Sequence, residues 1–498
     1  MIRRLASVAL FLSVFVNLPS VGKADPQPRA KESTETRYLA FQIFTGASDP
    51  RKAIGDSGMN PLGPMPPQKD LDAFVQDITQ TIGSAGDPQT RLAVIFGPLA
   101  FDNSDAEIRR FMAAAFDMAV RKNVAVGFHV DDSMFWARRS DLWRNPDNVE
   151  WRDWNGTRTT GRQIEWGPHP KEIPPQMCFN SREIQAEVRR RATGVIGSAI
   201  KSGTDRLRRL GKEDLFAGVI VGWETQIGQD SGTGDFLGYH ALTNRGFSAK
   251  NPPRDLDGER EKVVQEFITL WCKGVADAGV SPDKIYSHTA FTSRQSFDEQ
   301  PAPTVSYSQQ NHFASPAVAF GEFRRPGFST YPQPGLFAQI HAEVAQHGSP
   351  GWASSEGTNL LMGSRPGQSG MNMETYLAEM FNHGATLVNV FSWGVGGEAN
   401  RNMDFRVVTE DEEALRAYRK FLGGKPLREA VSTATFDPAS LPGKIHHIQQ
   451  ALPDWIRETG KQALAEPLMQ KLDAALKAKD FPEAELAANA ILKLLASK

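Results

Sequence analysis

The segment AGVIVGWETQIGQD, residues 217–230, is an apolar run that ends on a carboxylic acid, Glu224. Its first residues carry no charge and include several β-branched side chains, a composition typical of a buried strand. The Gln, Gly and Asp residues that follow Glu224 are typical of a loop. The segment therefore predicts a buried strand whose C-terminal end presents a carboxyl group beside Trp223.

Further apolar runs of this kind alternate with amphipathic segments along the chain. The amphipathic segments, such as DAEIRRFMAAAFDMAVRKN, place apolar residues at steps of three and four, which is the period of a helix. Buried strands that alternate with helices predict a parallel sheet covered by helices, and eight such units predict a closed (β/α)8 TIM barrel of the α/β class. The predicted strands are 38–44, 91–96, 124–130, 217–224, 284–288, 304–308, 351–356 and 386–392.

The two ends of the chain differ from this pattern. Residues 1–24 combine two arginines, a short apolar run and a small-residue cleavage site, which predicts a secretory signal peptide. A linker (25–36) and the barrel (37–425) follow, and 440–498, rich in Ala, Leu and Lys, predicts a small all-α C-terminal tail. We expect a periplasmic or secreted protein without stable membrane insertion after cleavage; an uncleaved anchor is the alternative.

Charge and cysteine content exclude several classes of protein. The formal net charge of −2 shows no polybasic signature of a nucleic-acid binder. Cys178 and Cys272 have no zinc-type spacing, and two isolated thiols are the favoured interpretation. The glycine-rich segments GQDSGTGDF and GVGGEANRN lack the lysine of a phosphate-binding loop. We therefore expect neither a cofactor nor a metal.

Polar side chains cluster at the predicted strand ends. In a (β/α)8 barrel these ends and the loops after them form the active face. Two glutamates there, Glu224 and Glu356, lie three strands apart, and paired carboxyl groups are what hydrolysis of a glycosidic bond requires. Two structural acids that hold loop backbone are the alternative. The other candidates at this face are His129, Asp131, His288, Tyr307 and Trp393.

This layout resembles the clan A glycoside hydrolases, which are retaining (β/α)8 enzymes. The resemblance implies that Glu224, in GWETQIG, is the acid/base and that Glu356, in WASSEGTN, is the nucleophile. It also implies that Trp393, in NVFSWG, lies under the sugar ring and that Tyr307 orients the nucleophile.

One residue departs from the clan's pattern. The clan commonly has Asn before the acid/base glutamate, where this chain has Trp223. Either a contact to the sugar 2-hydroxyl comes from elsewhere, such as His129 or His288, or the chain belongs to a divergent family. We also expect Trp223 to desolvate Glu224 and so keep it protonated near neutral pH.

The long loop after the third strand is rich in tryptophan, including Trp136. Such rings stack on sugar faces, although a lid that packs on the barrel is the alternative. His129 and Asp131 are expected to bind sugar hydroxyls, and a metal pair formed by His129 with Asp131 or Asp132 is less favoured. The sequence thus predicts an exported glycoside hydrolase with a carbohydrate substrate. The alternatives are a carbohydrate-binding protein without activity and a metal-dependent hydrolase that uses His129 and Asp131.

Overall fold

The computed structural model describes residues 35–44, 65, 68–130, 133–159, 161–164, 171–358, 371–394, 412–427, 440–477 and 481–496. Eight parallel strands form one sheet that curves into a nearly closed barrel, and a two-stranded antiparallel hairpin lies in the loop after the third strand. The barrel strands are β1 Arg37–Phe44, β2 Thr90–Gly97, β3 Ala125–Val130, β6 Phe216–Val221, β7 Ile285–Ser287, β8 Gly327–Ser329, β9 Trp352–Thr358 and β10 Ala385–Gly394; the hairpin is β4 Arg162–Ile164 and β5 Lys171–Ile173.

The barrel strands neighbour one another in chain order. The order in the sheet is β7-β6-β3-β2-β1-β10-β9-β8. Backbone hydrogen bonds connect β8 to Thr289, which lies two residues after the end of β7: Thr289 N donates to Gly327 O at 3.0 Å, and Ser329 N donates to Thr289 O at 3.0 Å. The predicted (β/α)8 barrel is therefore confirmed.

Helices follow the strands and cover the outside of the barrel. A π-helical segment, Ala192–Gly197, joins the helices Arg182–Arg191 and Ser198–Arg209. The helices are α1 Gln68–Ile82, α2 Asp105–Lys122, α3 Ser140–Trp143, α4 Arg182–Arg191, α5 Ser198–Arg209, α6 Tyr239–Asn244, α7 Leu256–Asp277, α8 Arg294–Asp298, α9 Tyr307–Gln310, α10 Leu336–Gln346, α11 Met373–Phe381, α12 Glu412–Leu422, α13 Ser440–Thr459, α14 Gln462–Lys477 and α15 Phe481–Ala496.

Helix α2 shows how local sequence sets these boundaries. Ser104 and Glu107 form a capping box: the serine oxygen accepts from Glu107 N, and the glutamate carboxylate accepts from Ser104 N at 2.9 Å. The helix ends at Asn123, whose left-handed φ of 54° an asparagine tolerates better than most residues. These caps place the start of β3 directly after the helix.

Alternation along the strands divides the core into two clusters. On β1, Leu39, Phe41 and Ile43 pack outward with the apolar faces of the helices. Tyr38 and Ala40, one residue out of phase, belong to a separate cluster inside the barrel, as the two-residue period of a strand requires. That interior cluster comprises Tyr38, Ala40, Ala93, Ile95, Ala125, Ala217, Ile220, Tyr286, Ala353 and Leu387.

The sixth barrel strand lies elsewhere than predicted. The sequence favoured 304–308, but that segment leads into helix α9, and the strand is β8, Gly327–Ser329. Ser306 caps α9 by accepting from Gln309 N at 3.1 Å, which fixes a helix start. A Cβ at Gly327 would lie 2.1 Å from Ser287 O, so only glycine lets β8 approach β7 this closely.

The C-terminal segment forms the predicted all-α tail of three helices, α13 to α15. Their apolar residues form a cluster of their own, which includes Leu441, Ile448, Trp455 and Ile491. The predicted domain boundaries themselves stay predictions. Among the described residues, no helix is both long and apolar enough to span a lipid bilayer.

The tryptophan-rich loop between β3 and α4 packs on the barrel. Trp136 is fully buried and its indole N–H donates to Pro175 O at 3.1 Å, so the interpretation of this ring as a sugar-stacking surface is wrong. Trp151 stacks on His240 with ring centroids 4.0 Å apart, which fixes the loop against α6. The lid interpretation therefore describes these two rings. Trp166 lies outside the described residues.

Glu150 is a buried carboxyl group within this loop. Its oxygens accept from the backbone N–H groups of Trp151, His240 and Ala241 at 3.2, 3.1 and 3.3 Å. Burial raises the pKa of Glu150 to about 7, against the opposing effect of these hydrogen bonds. The carboxyl group thus links the loop to the start of α6. Nearby Cys178 is buried, as is Cys272, and both are free cysteines.

The raised pKa of Glu150 predicts a pH-dependent stability. Since an unfolded glutamate titrates near 4.3, the folded protein binds more protons between about pH 4.5 and pH 7, and stability falls as pH rises through this window. Glu150→Gln cannot titrate at this position, so its free energy of unfolding should fall less steeply with pH than that of the wild type. The two slopes should differ by up to about 1.4 kcal/mol per pH unit. Urea denaturation across the window measures the slope. Exposed Glu322→Gln is the control, and parallel curves for wild type and Glu150→Gln would contradict the assignment.

Candidate active site

The inward-facing layer nearest the C-terminal ends of the strands is polar. Above the apolar interior cluster, Gln42 on β1, His129 on β3, His288 after β7 and Asn389 on β10 are fully buried. Gln42 Oε1 accepts from Asn389 Nδ2 at 2.9 Å and lies 3.2 Å from His129 Nδ1. A Cβ at Gly97 would lie 2.5 Å from His129 Cβ, so the glycine that ends β2 makes room for this imidazole. These side chains form a rigid floor beneath the carboxyl groups.

Glu356 lies on β9 and is only 6% exposed. Tyr331, just after β8, donates its hydroxyl hydrogen to Glu356 Oε1 at 2.9 Å. The other oxygen, Oε2, has no hydrogen-bond partner among the described residues and lies 3.9 Å from His288 Nε2. One oxygen of Glu356 is therefore held in place, and the other is available to a ligand.

Glu224 follows β6 and is half-buried. Its backbone has a φ of 54°, a left-handed conformation that non-glycine residues rarely adopt and that often marks functional sites. Ser329 donates to Glu224 Oε1 at 2.8 Å. Ligand atoms of Glu224, Glu356 and His288 lie within 4.8 Å of one another, so the two carboxyl groups that the sequence singled out meet at one place.

A chain of hydrogen bonds ends on Glu224. His129 Nε2 lies 2.7 Å from Gly222 O and 3.1 Å from His288 Nδ1. His288 Nε2 lies 2.8 Å from Ser329 Oγ, and the serine hydroxyl donates to Glu224 Oε1 at 2.8 Å. Ser329 thus links the two buried histidines to the carboxyl group.

Both histidines of this chain are neutral. Complete burial lowers the pKa of His129 to about 3. Burial, together with the neighbouring His129, lowers the pKa of His288 well below its ordinary value. The histidines therefore supply oriented hydrogen bonds rather than positive charge. His129 also stacks on Trp223, with ring centroids 4.6 Å apart and an interplanar angle of 3°.

The carboxyl pair favours a state with one bound proton. Burial, followed by the negative charge of Glu224, raises the pKa of Glu356 well above its usual range, and the Tyr331 hydrogen bond opposes this shift. The sequence placed the desolvated carboxyl at Glu224, beside Trp223. Glu356 is the more deeply buried of the two, and the desolvation of Glu224 by Trp223 stays a prediction.

Tyr307 does not orient Glu356, contrary to the resemblance. It begins α9, and its hydroxyl donates to Thr292 O at 2.9 Å. Tyr331 makes the contact to Glu356 instead. The error follows from the misplaced sixth strand, since Tyr331 comes two residues after the end of β8.

Trp393 also differs from its predicted position. Its indole N–H donates to Asp77 on α1 at 2.8 Å, and its ring packs edge-on against Phe41, which is in the outer core. The pairing of β1 with β10 shifts register here, from Phe41–Val390 to Ile43–Gly394, so simple alternation does not hold at the strand end. The ring near the site is Phe391, which contacts Trp223 at 5.9 Å between centroids.

Five of the residues predicted from the sequence lie together in the structure: Glu224, Glu356, His129, His288 and Trp223. Asp131 lies outside the described residues. The residues that the sequence interpretation missed are Gln42, Ser329, Tyr331, Asn389 and Phe391. Period-two counting from Tyr38 and Leu387 would have indicated Gln42 and Asn389, which are polar residues at inward positions.

The fold and the site define a (β/α)8 barrel with a buried carboxyl pair at the C-terminal ends of its strands. Solved structures that are similar in fold share only 9–12% sequence identity with it. No protein-family model matches the chain, and a comparison with curated protein sequences gives no match.

Three solved structures illustrate the similarity in fold. A beta-galactosidase from the psychrophilic Marinomonas ef1 is 12% identical over 78% of this chain and 59% of that one, with a TM-score of 0.45. The catalytic domain of a beta-amylase from Paenibacillus polymyxa is 9% identical over 79% of this chain and 100% of that one, with a TM-score of 0.44. A GH138 enzyme targeting pectin rhamnogalacturonan II is 11% identical over 84% of this chain and 41% of that one, with a TM-score of 0.33. The chain spans about three fifths of the galactosidase's length.

Proposed function

We propose that the protein is a glycoside hydrolase in which Glu224 and Glu356 act on a carbohydrate substrate. The observation that carries the proposal is that one carboxyl oxygen of Glu224 and one of Glu356 lie within 4.8 Å of each other at the active face of the barrel. Retaining glycosidases need carboxyl groups about 5–5.5 Å apart, whereas inverting enzymes need about 6.5–9.5 Å to admit a water. The short distance favours the retaining mechanism.

The environment of each carboxyl group supports a distinct role. Glu356 Oε1 is held by Tyr331, and the unpartnered Oε2 is available to attack the anomeric carbon as the bond to the leaving oxygen breaks. Glu224 is the more accessible group, and it donates its proton to that leaving oxygen. Glu224 then takes a proton from the water that cleaves the glycosyl–Glu356 ester, which restores both carboxyl groups.

A single proton shared by Glu224 and Glu356 before substrate binds is what this mechanism requires. One protonated and one ionised carboxyl group are required at the start, and the raised pKa of Glu356 near Glu224 keeps one proton on the pair. The Tyr331 hydrogen bond favours charge on Glu356, so the proton moves toward Glu224 when a glycosidic oxygen is there to receive it. Formation of the ester removes the charge of Glu356 and lets Glu224 ionise.

Tyr331→Phe should reduce turnover and shift its pH dependence. Without the donated hydrogen bond the pKa of Glu356 rises further, and because the nucleophile must be ionised, the acid limb of kcat/KM should move to higher pH. We expect kcat to fall about 10- to 100-fold, in line with the loss of one charge-assisted hydrogen bond. The pH–rate profile tests this. Tyr307→Phe is the matched control, and an unshifted acid limb in Tyr331→Phe would contradict the role of Tyr331.

A metal-dependent hydrolase is the second candidate, because Glu224, His288 and Glu356 also offer a set of metal-ligand types. The earlier alternative based on His129 is less favourable, since His129 Nε2 already lies 2.7 Å from Gly222 O. A carbohydrate-binding protein without activity is the third.

A panel of aryl glycosides of both anomers, assayed with and without a chelator, separates these functions. The proposal expects turnover of at least one glycoside and no loss in chelator. Binding to polysaccharide arrays by folded protein that turns over no glycoside would favour the binding protein. Activity lost in chelator and restored by a divalent ion would favour the metal-dependent enzyme. The proposal includes export, and the leader 1–24 lies outside the described residues.

A further inference from the structure

A second group of ligand-type side chains lies between helices α10 and α11. It consists of His341 on α10, Glu379 on α11 and His383 in the turn that follows α11. One ligand atom from each residue lies within 4.8 Å of those of the others. Trp352, the first residue of β9, donates its indole N–H to His383 O at 2.8 Å, which places the group beside the starts of the strands. The group is therefore at the opposite end of the barrel from Glu224 and Glu356.

His341 presents an available lone pair. One nitrogen of its ring is hydrogen-bonded to the backbone of Glu379, and the other, Nε2, is buried without a hydrogen-bond partner in the part of the chain that the structure describes. A neutral imidazole that donates through one nitrogen leaves the other as an acceptor, and this arrangement is the one found in metal-bound histidines. An unpartnered buried acceptor is also unfavourable unless something binds to it.

The side chains of His341 and His383 lie against each other. The rings of His341 and His383 are stacked, with centroids 3.8 Å apart and an interplanar angle of 6°. His383 Nε2 lies 4.0 Å from Glu379 Oε2, and the side chains of His383 and Glu379 are 47% and 25% exposed. The group is thus rigid on the His341 side and open to solvent on the other.

We propose that His341, Glu379 and His383 bind a divalent transition-metal ion, with Zn²⁺ as the best match. Two imidazole nitrogens and one carboxylate suit zinc, whereas Mg²⁺ and Ca²⁺ prefer oxygen ligands. In a tetrahedral zinc site the ligand atoms lie roughly 3.3 Å apart, given metal–ligand distances near 2.0 Å. The side chain of His383, which is the most exposed of the three, turns out of its stack to close the site, and water completes the coordination.

Zinc at this position would join the two helices that follow β8 and β9. Those strands lead to Tyr331 and carry Glu356, but the metal lies at the other end of the barrel and takes no part in the chemistry there. The expected effect is on stability rather than on turnover.

Isothermal titration of metal-free, full-length protein with ZnCl2 tests the site. We expect saturable binding that Mg²⁺ does not reproduce, with affinity at least about tenfold weaker in His341→Gln and in His383→Gln. Saturating Zn²⁺ should raise the melting temperature of the wild type by a few degrees and leave that of His383→Gln unchanged. Exposed His447→Gln is the matched control and should bind as the wild type does.

The carboxyl pair must be separated from this site, because Glu224, His288 and Glu356 could also take zinc. In a Glu356→Gln background the titration should still show the binding that depends on His341 and His383. Absence of saturable zinc binding by folded wild-type protein would overturn the proposal. Unchanged affinity in both histidine variants would also overturn it.

Discussion

Glu356→Gln is expected to lower turnover of any glycoside substrate by at least about 10⁴-fold. The amide keeps the size of the side chain and can still accept from Tyr331, whose hydroxyl lies 2.9 Å from Oε1. It cannot form the glycosyl ester, because an amide is a poor nucleophile at the anomeric carbon. The loss therefore reports chemistry rather than packing.

Steady-state rates on the best aryl glycoside of the panel measure this effect. The melting temperature should not fall, since Gln removes a buried carboxyl whose pKa burial already raises. Exposed Glu322→Gln is the matched control and should retain wild-type rates. A folded Glu356→Gln that keeps near-normal turnover would show that Glu356 is not the nucleophile.

Glu224→Ala is expected to show a loss that depends on the leaving group. With a poor leaving group, kcat/KM should fall about 10²- to 10⁴-fold, because nothing protonates the departing oxygen. With a good leaving group the first step needs no acid, so the ester on Glu356 should form readily and then accumulate. Azide can enter the space left by the carboxyl group and attack this ester, giving a glycosyl azide.

Rates with and without azide on two aryl glycosides of different leaving-group pKa test this prediction. Azide should accelerate turnover of the activated glycoside by Glu224→Ala and leave the wild-type enzyme unaffected. Ser329→Ala, which removes the hydrogen bond to Glu224 Oε1 but keeps the carboxyl group, is the comparison variant and should show no azide rescue. An equal loss on both substrates without rescue would contradict the acid/base role.

The barrel could be predicted because its signals are local. Each long strand, such as β1 and β2, is a run of apolar residues buried along nearly its whole length, and each outer helix carries its apolar residues at the helical period. The two glutamates follow from the same signals, since both lie at the ends of strands that were located within a few residues.

The errors arise where non-local contacts decide the structure. Strand β8 has three residues and begins with Gly327, so it has no period to detect, and its place is set by packing against β7. The orientation of Trp393 depends on the register between β1 and β10, which one strand alone does not specify. Tyr331 is missing from the predicted site because β8, the strand that leads to it, was placed at the wrong segment.

The hydrogen-bond chain behind Glu224 was also beyond prediction. His129 and His288 were expected to contact sugar, because each lies at a strand end. Both rings are instead fully buried, and their nitrogens bond to Gly222 O, to each other and to Ser329. Such a chain depends on distances across the barrel, and the spacing of residues in sequence carries no information about them.

Covalent trapping tests the central claim most directly. An activated 2-deoxy-2-fluoro glycoside of the sugar identified by the panel slows breakdown of a glycosyl ester more than its formation, so mass spectrometry can detect the adduct. We predict one glycosyl unit on the wild-type protein, located by peptide mapping at Glu356, and none on Glu356→Gln. An adduct on another residue, or turnover of the parent glycoside to the inverted anomer without any adduct, would contradict the account.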